Sequence, residues 1–143
     1  MQQIILALAL FFTSLLFSQS QGILEKKSGA TITIDVVNAL NDIGEVKFGL
    51  YTKENFRIQP LYSKSSHIEN GRSSVVFENV PSGIYAVVCF HDENKNDRLD
   101  FYENGMPKES FGSSNNTWSF GPPQFENSKF EVTNNDLTLE IKF

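Results

Sequence analysis

From Ala30 onward the apolar residues return at every second position, and that period dictates extended chain. In "ATITIDVVNA", Ile32, Ile34 and Val36 fall on one face while Thr31, Thr33 and Asp35 fall on the other. "EVKFGLY" repeats the pattern, setting Val46, Phe48 and Leu50 against Glu45 and Lys47. Between them "LNDIG" supplies Asn, Asp and Gly for a tight reversal, so the two runs are expected to form a hairpin with one solvated face. "SSVVFEN" directs Val75 and Phe77 inward, and "VPSG" turns the chain. "IYAVVCF" is apolar on both faces, with Ile84, Ala86, Val88 and Phe90 opposite Tyr85, Val87 and Cys89, as befits a strand in mid-sheet. "SKFEV" and "LTLEIKF", joined by "TNND", close the series. Residues 52–72, with Pro60 and the pair Asn70-Gly71, read as irregular, as do residues 101–124, rich in Gly, Pro, Ser and Asn. No helical period follows the N-terminal segment. About seven short strands separated by turn signals predict an all-β fold: a single antiparallel Greek-key β-sandwich with a long loop at one end.

The N-terminal segment is of another kind. "MQQIILALALFFTSLLFSQSQG" has no acidic or basic side chain, and its apolar run from Ile4 to Phe17 is shorter than the roughly 20 residues that span a bilayer. Followed by Ser18-Gln19-Ser20, it fits a signal-peptide core, which assigns residues 1–20 to a signal peptide, 21–29 to a tether and 30–143 to the domain. A membrane anchor or a buried first strand is the competing reading. Export implies a secreted or periplasmic protein without a membrane span once matured. The single cysteine, Cys89, permits no intrachain disulfide and reads as an inert buried thiol. A net charge of −5 without any block of Lys or Arg argues against nucleic acid or anionic lipid as a partner.

Chemistry concentrates where the central strand ends, in "VVCFHDENKNDRLDFYENG". Counted from Asp92, positions one, three, five, nine and twelve are Asp92, Asn94, Asn96, Asp100 and Glu103, and position seven is Arg98, whose carbonyl would be the ligand. This is the ligand spacing of a twelve-residue calcium loop. Calcium takes six to eight oxygens at roughly 2.3–2.6 Å, and alternate side chains of a tightly wound loop converge to supply them. Asp97 stands at position six, where such loops carry Gly, and no helix flanks the loop, so a structural site is expected rather than a sensor. A solvated Asx turn that binds nothing, or magnesium in place of calcium, are the alternatives.

Other constellations are thinner. His67 and His91 lie far apart without a Cys or carboxylate framework for zinc. No Gly-x-Ser-x-Gly elbow is present, and the paired carboxylates lie within the acidic loop, so no catalytic residues are assigned. Trp118 and Phe120, beside Asn115 and Asn116, either cap the end of the sandwich or offer a platform to a sugar ring. "NNT" at 115–117 matches a glycosylation acceptor.

Through "FENVPSGIYAVVCFHDENKNDRLD", "GMPKESFG", "SNN" and "FGPPQFENSKFEV", the chain resembles the bacterial domain-of-unknown-function family 2141 over about residues 30–143. That resemblance implies a secreted or periplasmic β-sandwich and no established activity; members usually carry Gly where Asp97 stands. "NVPSGIYAV" is also similar to the turn and strand of transthyretin-like and carboxypeptidase-regulatory-type sandwiches, mostly accessory modules, so an immunoglobulin-like or transthyretin-like arrangement is expected. The reading is an exported, non-catalytic module with a calcium-stabilised loop and a protein or glycan partner at the cell envelope. A carbohydrate- or polymer-binding module using the loop aromatics is the second reading, and an unrecognised hydrolase the third.

Overall fold

A computed structural model describes residues 29–117 and 121–143. The expected signal segment, and the tether up to residue 28, lie outside the described residues. Eight strands form among them: β1 (Ala30–Val36), β2 (Glu45–Tyr51), β3 (Tyr62–His67), β4 (Ser73–Val80), β5 (Gly83–Asp92), β6 (Phe111–Ser113), β7 (Lys129–Val132) and β8 (Leu137–Ile141). A 3-10 turn covers Ser114–Asn116, and one helical turn, α1, covers Phe125–Ser128. No helix among the described residues is long and apolar enough to cross a membrane.

The strands make two sheets, one ordered β4-β1-β8, the other β3-β2-β5-β6 with β7 also paired to β5. The all-β expectation therefore holds, in a sandwich-like arrangement. Its alternating apolar positions meet in one core: Ile32, Ile34 and Val36 from one sheet face Val46, Phe48, Leu50, Val87 and Cys89 from the other. Ile32, Ile34, Phe48 and Leu50 are wholly buried, each worth about 1.5–3 kcal/mol over exposure.

Three expectations are corrected. β1 and β2 form no hairpin: β1 pairs antiparallel with β4 and parallel with β8, whereas β2 pairs with β3 and β5. The reversal at "LNDIG" carries the chain across to the opposite sheet. Both strands keep their apolar side toward the core by facing it from opposite walls. The parallel β1–β8 pair departs from an antiparallel sheet throughout. Two strands, β3 and β6, lie inside stretches read as irregular. β3 is exposed at nearly every position, so no burial period marks it, and β6 is three residues long. Just before β1, Gly29 is buried against β4; a Cβ there would stand 2.5 Å from the Asn79 carbonyl carbon.

β5 is central, as its two apolar faces required, with β2 on one side and β6 and β7 in succession on the other. Its inner side packs in the core. Its outer side carries Ile84, Ala86, Val88 and Phe90 and ends at Asp92.

Candidate metal loop

Asp92 is fully buried, directly opposite Glu45 on β2. A buried carboxylate must find donors, and this one draws the following loop over itself. Its Oδ1 accepts the Asn96 N–H at 3.0 Å and its Oδ2 the Asp97 N–H at 2.9 Å. Asn94 Oδ1 accepts the Asn96 N–H at 3.2 Å, and Asn96 Oδ1 the Arg98 N–H at 3.1 Å, so successive Asx turns wind the chain. Lys95 and Asp97 take left-handed conformations, φ 57° and 64°. Asp97 thus adopts the backbone for which Gly is the usual choice, as Asp does more readily than most residues.

The wound loop brings four of the expected side chains together. Asp100 Oδ2 accepts hydrogen bonds from Asn94 Nδ2 at 2.8 Å and Asn96 Nδ2 at 2.9 Å, with Asp92 gripping the same turn from below. The Asn94 amide above all holds the Asp100 carboxyl below its ordinary value. Arg98 contributes its N–H to the winding. Its side chain is 76 % exposed, with Nε 3.5 Å from Asp100 Oδ1. Its carbonyl accepts no hydrogen bond among the described residues. Glu103 is not gathered in. It is exposed in the turn closed by Gly105 N–H to Tyr102 O, and it has no hydrogen-bond or ion-pair partner among the described residues.

Two residues outside the expected set do structural work here. Glu109 accepts the Glu93 N–H through Oε1 and the Asp100 N–H through Oε2, both at 3.1 Å, and so ties the two ends of the loop together. No spacing rule points to Glu109, because the loop folds back by way of the Phe101–Pro107 bridge. Lys47 supplies a positive charge. Carboxylate oxygens of Glu45, Asp92 and Asp97 lie within 4.8 Å of one another. The Lys47 ammonium is 2.6 Å from Glu45 Oε1, 3.9 Å from Asp92 Oδ2 and hydrogen-bonded to Asp97. Its pKa is raised, first by Asp97 and then by Glu45, while Lys47 holds Glu45 below its usual value. The period-two pattern already placed Glu45 and Lys47 on one face; only the β2–β5 register shows that this face meets Asp92.

The donor set is hard oxygen, as calcium or magnesium requires. Each Asn Oδ1 already takes one N–H and keeps a second lone pair. Among the described residues, Lys47 is the one ammonium in contact with the three carboxylates of Glu45, Asp92 and Asp97, while Lys95 acts on Glu45 and Arg98 and Lys108 act on Asp100. His91 faces the other way: it is buried, its Nε2 is 2.6 Å from the Ile43 carbonyl, and it stacks on Phe143. His67 joins no metal-binding group among the described residues. Cys89 is buried, and burial pushes its thiol up, away from reactivity. Ser114 and Ser128 bond to each other's segment and to Ser113, none of them to a histidine. Asn115 spends its side-chain nitrogen on the Asn127 and Lys129 carbonyls, at 3.1 and 2.9 Å, and a glycan there would take the hydrogen of one of these bonds. Trp118 and Phe120 lie outside the described residues.

Comparison with curated proteins finds no match. Among solved structures, a pilus-presented adhesin, Spy0125 (Cpa), aligns with 12 % identity and a TM-score of 0.30 over 81 % of this chain and 26 % of that one. A single-residue variant of the same adhesin aligns with 10 % identity and a TM-score of 0.28, covering 80 % and 27 %. The chain thus spans about a quarter of the length of those structures. Residues 34–140 match the model of a family described as "Uncharacterized protein conserved in bacteria (DUF2141)". With most of the strands and the whole acidic loop inside that match, the chain belongs to this bacterial family.

Proposed function

We propose that this protein is an exported, non-catalytic β-sandwich module, of Greek-key type, whose 92–100 loop binds a calcium ion that orders one end of the five-stranded sheet. One observation carries the reading: Asp92, Asn94, Asn96 and Asp100 are drawn together around a fully buried carboxylate. Side-chain oxygens of those four residues and the Arg98 carbonyl would hold the ion, with water in the place that Glu103 does not reach. Calcium would supply the charge that the Asn94 and Asn96 amides now offer Asp100. The apolar N-terminal run supports export, and an exported domain with a single cysteine must draw its stability from its core and a bound ion instead of disulfides.

Thermal unfolding of the full chain, with calcium or with chelator, tests this. A ligand at a hundred times its Kd adds about 2.7 kcal/mol, which moves Tm by about 10 °C in a domain of this size. Asp100→Ala removes that difference while the protein still folds. Equal midpoints in calcium and chelator would leave the loop held by Lys47 and its Asx turns alone and end the cation reading.

A further inference from the structure

An antiparallel sheet with one face in water normally turns polar side chains outward. The outer face of β5 does not: Val88 and Phe90 are half-buried and Ile84 is 48 % exposed. Beside them on β2, Gly49 places no side chain in the middle of the sheet. The Tyr51 ring leans into that space, so that a Cβ on Gly49 would stand 2.6 Å from Tyr51 Cε2 and 2.7 Å from its hydroxyl. Phe56 fixes the ring edge-on at 5.7 Å between centroids, and Phe125 backs Phe56 at 5.5 Å. The outcome is a cleft of about 570 Å³, within the range of small-ligand sites. The register puts Gly49 and Val88 at its middle, Tyr51 toward one end and Phe90 toward the other, with Ser63 and Ser65 of β3 alongside.

The lining selects among ligands. Lys47, at the rim, is already paired with Glu45 and Asp97, and the Lys64 ammonium sits on the Val76 carbonyl and over the Phe77 ring, so no cation is spare for an anion. β2 and β5 both have neighbours on either side, so at this cleft an added peptide strand could pair only along the outer edge of β3, away from the Gly49–Val88 middle. The hydroxyls of Tyr51, Ser63 and Ser65 have no hydrogen-bond partner among the described residues. Flat aromatic and aliphatic surface, bordered by free hydroxyls and with its charged groups, Lys47, Lys64 and Asp97, each engaged by a neighbour, matches a ring with an apolar C–H face and a hydroxyl rim. We propose that this cleft binds a neutral hexose unit of a polysaccharide, with Tyr51 and Phe90 as stacking surfaces and Ser63 and Ser65 as hydrogen-bonding partners. None of these four side chains belongs to the 118–120 segment, and none of them needs an ion.

Backbone amide NMR of the full chain, titrated in turn with cellohexaose, maltohexaose and mannohexaose to millimolar concentration, tests it in calcium and in chelator. Expected are shifts at Gly49, Ser63, Ser65 and Val88 with at least one sugar in at least one of the two buffers. Tyr51→Ala weakens that binding roughly tenfold. Ser63→Tyr, at an exposed position that no packing depends on, fills the cleft and abolishes it. Three results overturn the proposal: no shifts with any of the sugars in either buffer, shifts centred elsewhere, or a folded Ser63→Tyr that binds like the parent. Calcium-dependent stability is read separately, so the loop and the cleft fail independently.

Discussion

Two polar corners of the molecule solve the same problem in opposite ways. At the end of β5 the chain leaves the sheet through carboxylates; between β6 and α1 it leaves through serines and asparagines. The first corner buries Asp92 and surrounds it with backbone N–H groups and the Lys47 ammonium. The second buries Ser114, whose Oγ accepts the Val87 N–H at 3.0 Å and donates to the Ser128 carbonyl, while Ser128 Oγ donates to Ser113 Oγ at 3.0 Å. Asn116 donates to the Glu140 carbonyl and accepts the Lys142 N–H, both at 2.8 Å. A neutral corner works at any pH and salt. A charged corner depends on both, and in exchange it can recruit a cation.

The sharpest way to break the contrast is Asp92→Ala. It strands the Asp97 N–H, leaves the Asn96 N–H to Asn94 alone and removes a carboxylate from the Lys47 neighbourhood, at a cost of about 3 kcal/mol, read by urea unfolding. Ser114→Ala should cost about 2 kcal/mol by leaving the Val87 N–H and Ser128 carbonyl without their partner. Unlike the loop variant, its cost should be the same at low and high salt. Lys47→Met should cost about 1 kcal/mol. In calorimetric titration it should also strengthen calcium binding roughly tenfold, because a competing positive charge beside Asp92 is gone. Weaker calcium binding in that variant would show that Lys47 supports the ion's site rather than rivals it.

Titration sharpens the comparison further. Glu45 and Asp100 have folded pKa values below their ordinary 4.5 and 3.8. Their contribution is therefore complete above those ordinary values and disappears as pH falls through the lower folded ones. Lys47 is raised from 10.5, so its share is complete below that value and is lost as pH climbs through the higher folded one. A denaturation midpoint measured across pH should fall at both extremes, and Glu45→Gln should flatten the acid limb. The smallest effect belongs to Glu103→Gln, which should leave stability and calcium response unchanged, since Glu103 stands clear of the loop.

The strand pattern was legible because burial alternates wherever a strand has one wet face, as in Ile32-Ile34-Val36 and Val46-Phe48-Leu50. Pairing was not legible. A turn such as "LNDIG" reverses the chain equally well within a sheet or across to the next, and nothing local distinguishes the two. β3 escaped notice because it is exposed on both sides. In the loop, spacing alone found the four residues that converge, since an Asx-rich turn is wound by its own side chains. Glu103, given by the same spacing, stands apart from those four, because the twelve-residue template assumes a helix after position nine and this chain makes a turn. Lys47 and Glu109 reach the loop from strand register and a fold-back, and neither is written in the loop itself.

Asn116 has a consequence beyond its own corner. By offering β8 one acceptor and one donor at Glu140 and Lys142, a single amide imitates the rung that an adjoining strand would add. Those groups are then no longer available to template another molecule, a standing hazard wherever a sheet stops. At that spot a side chain protects against aggregation, and Asn116→Ala would reopen the rung with little change to the fold.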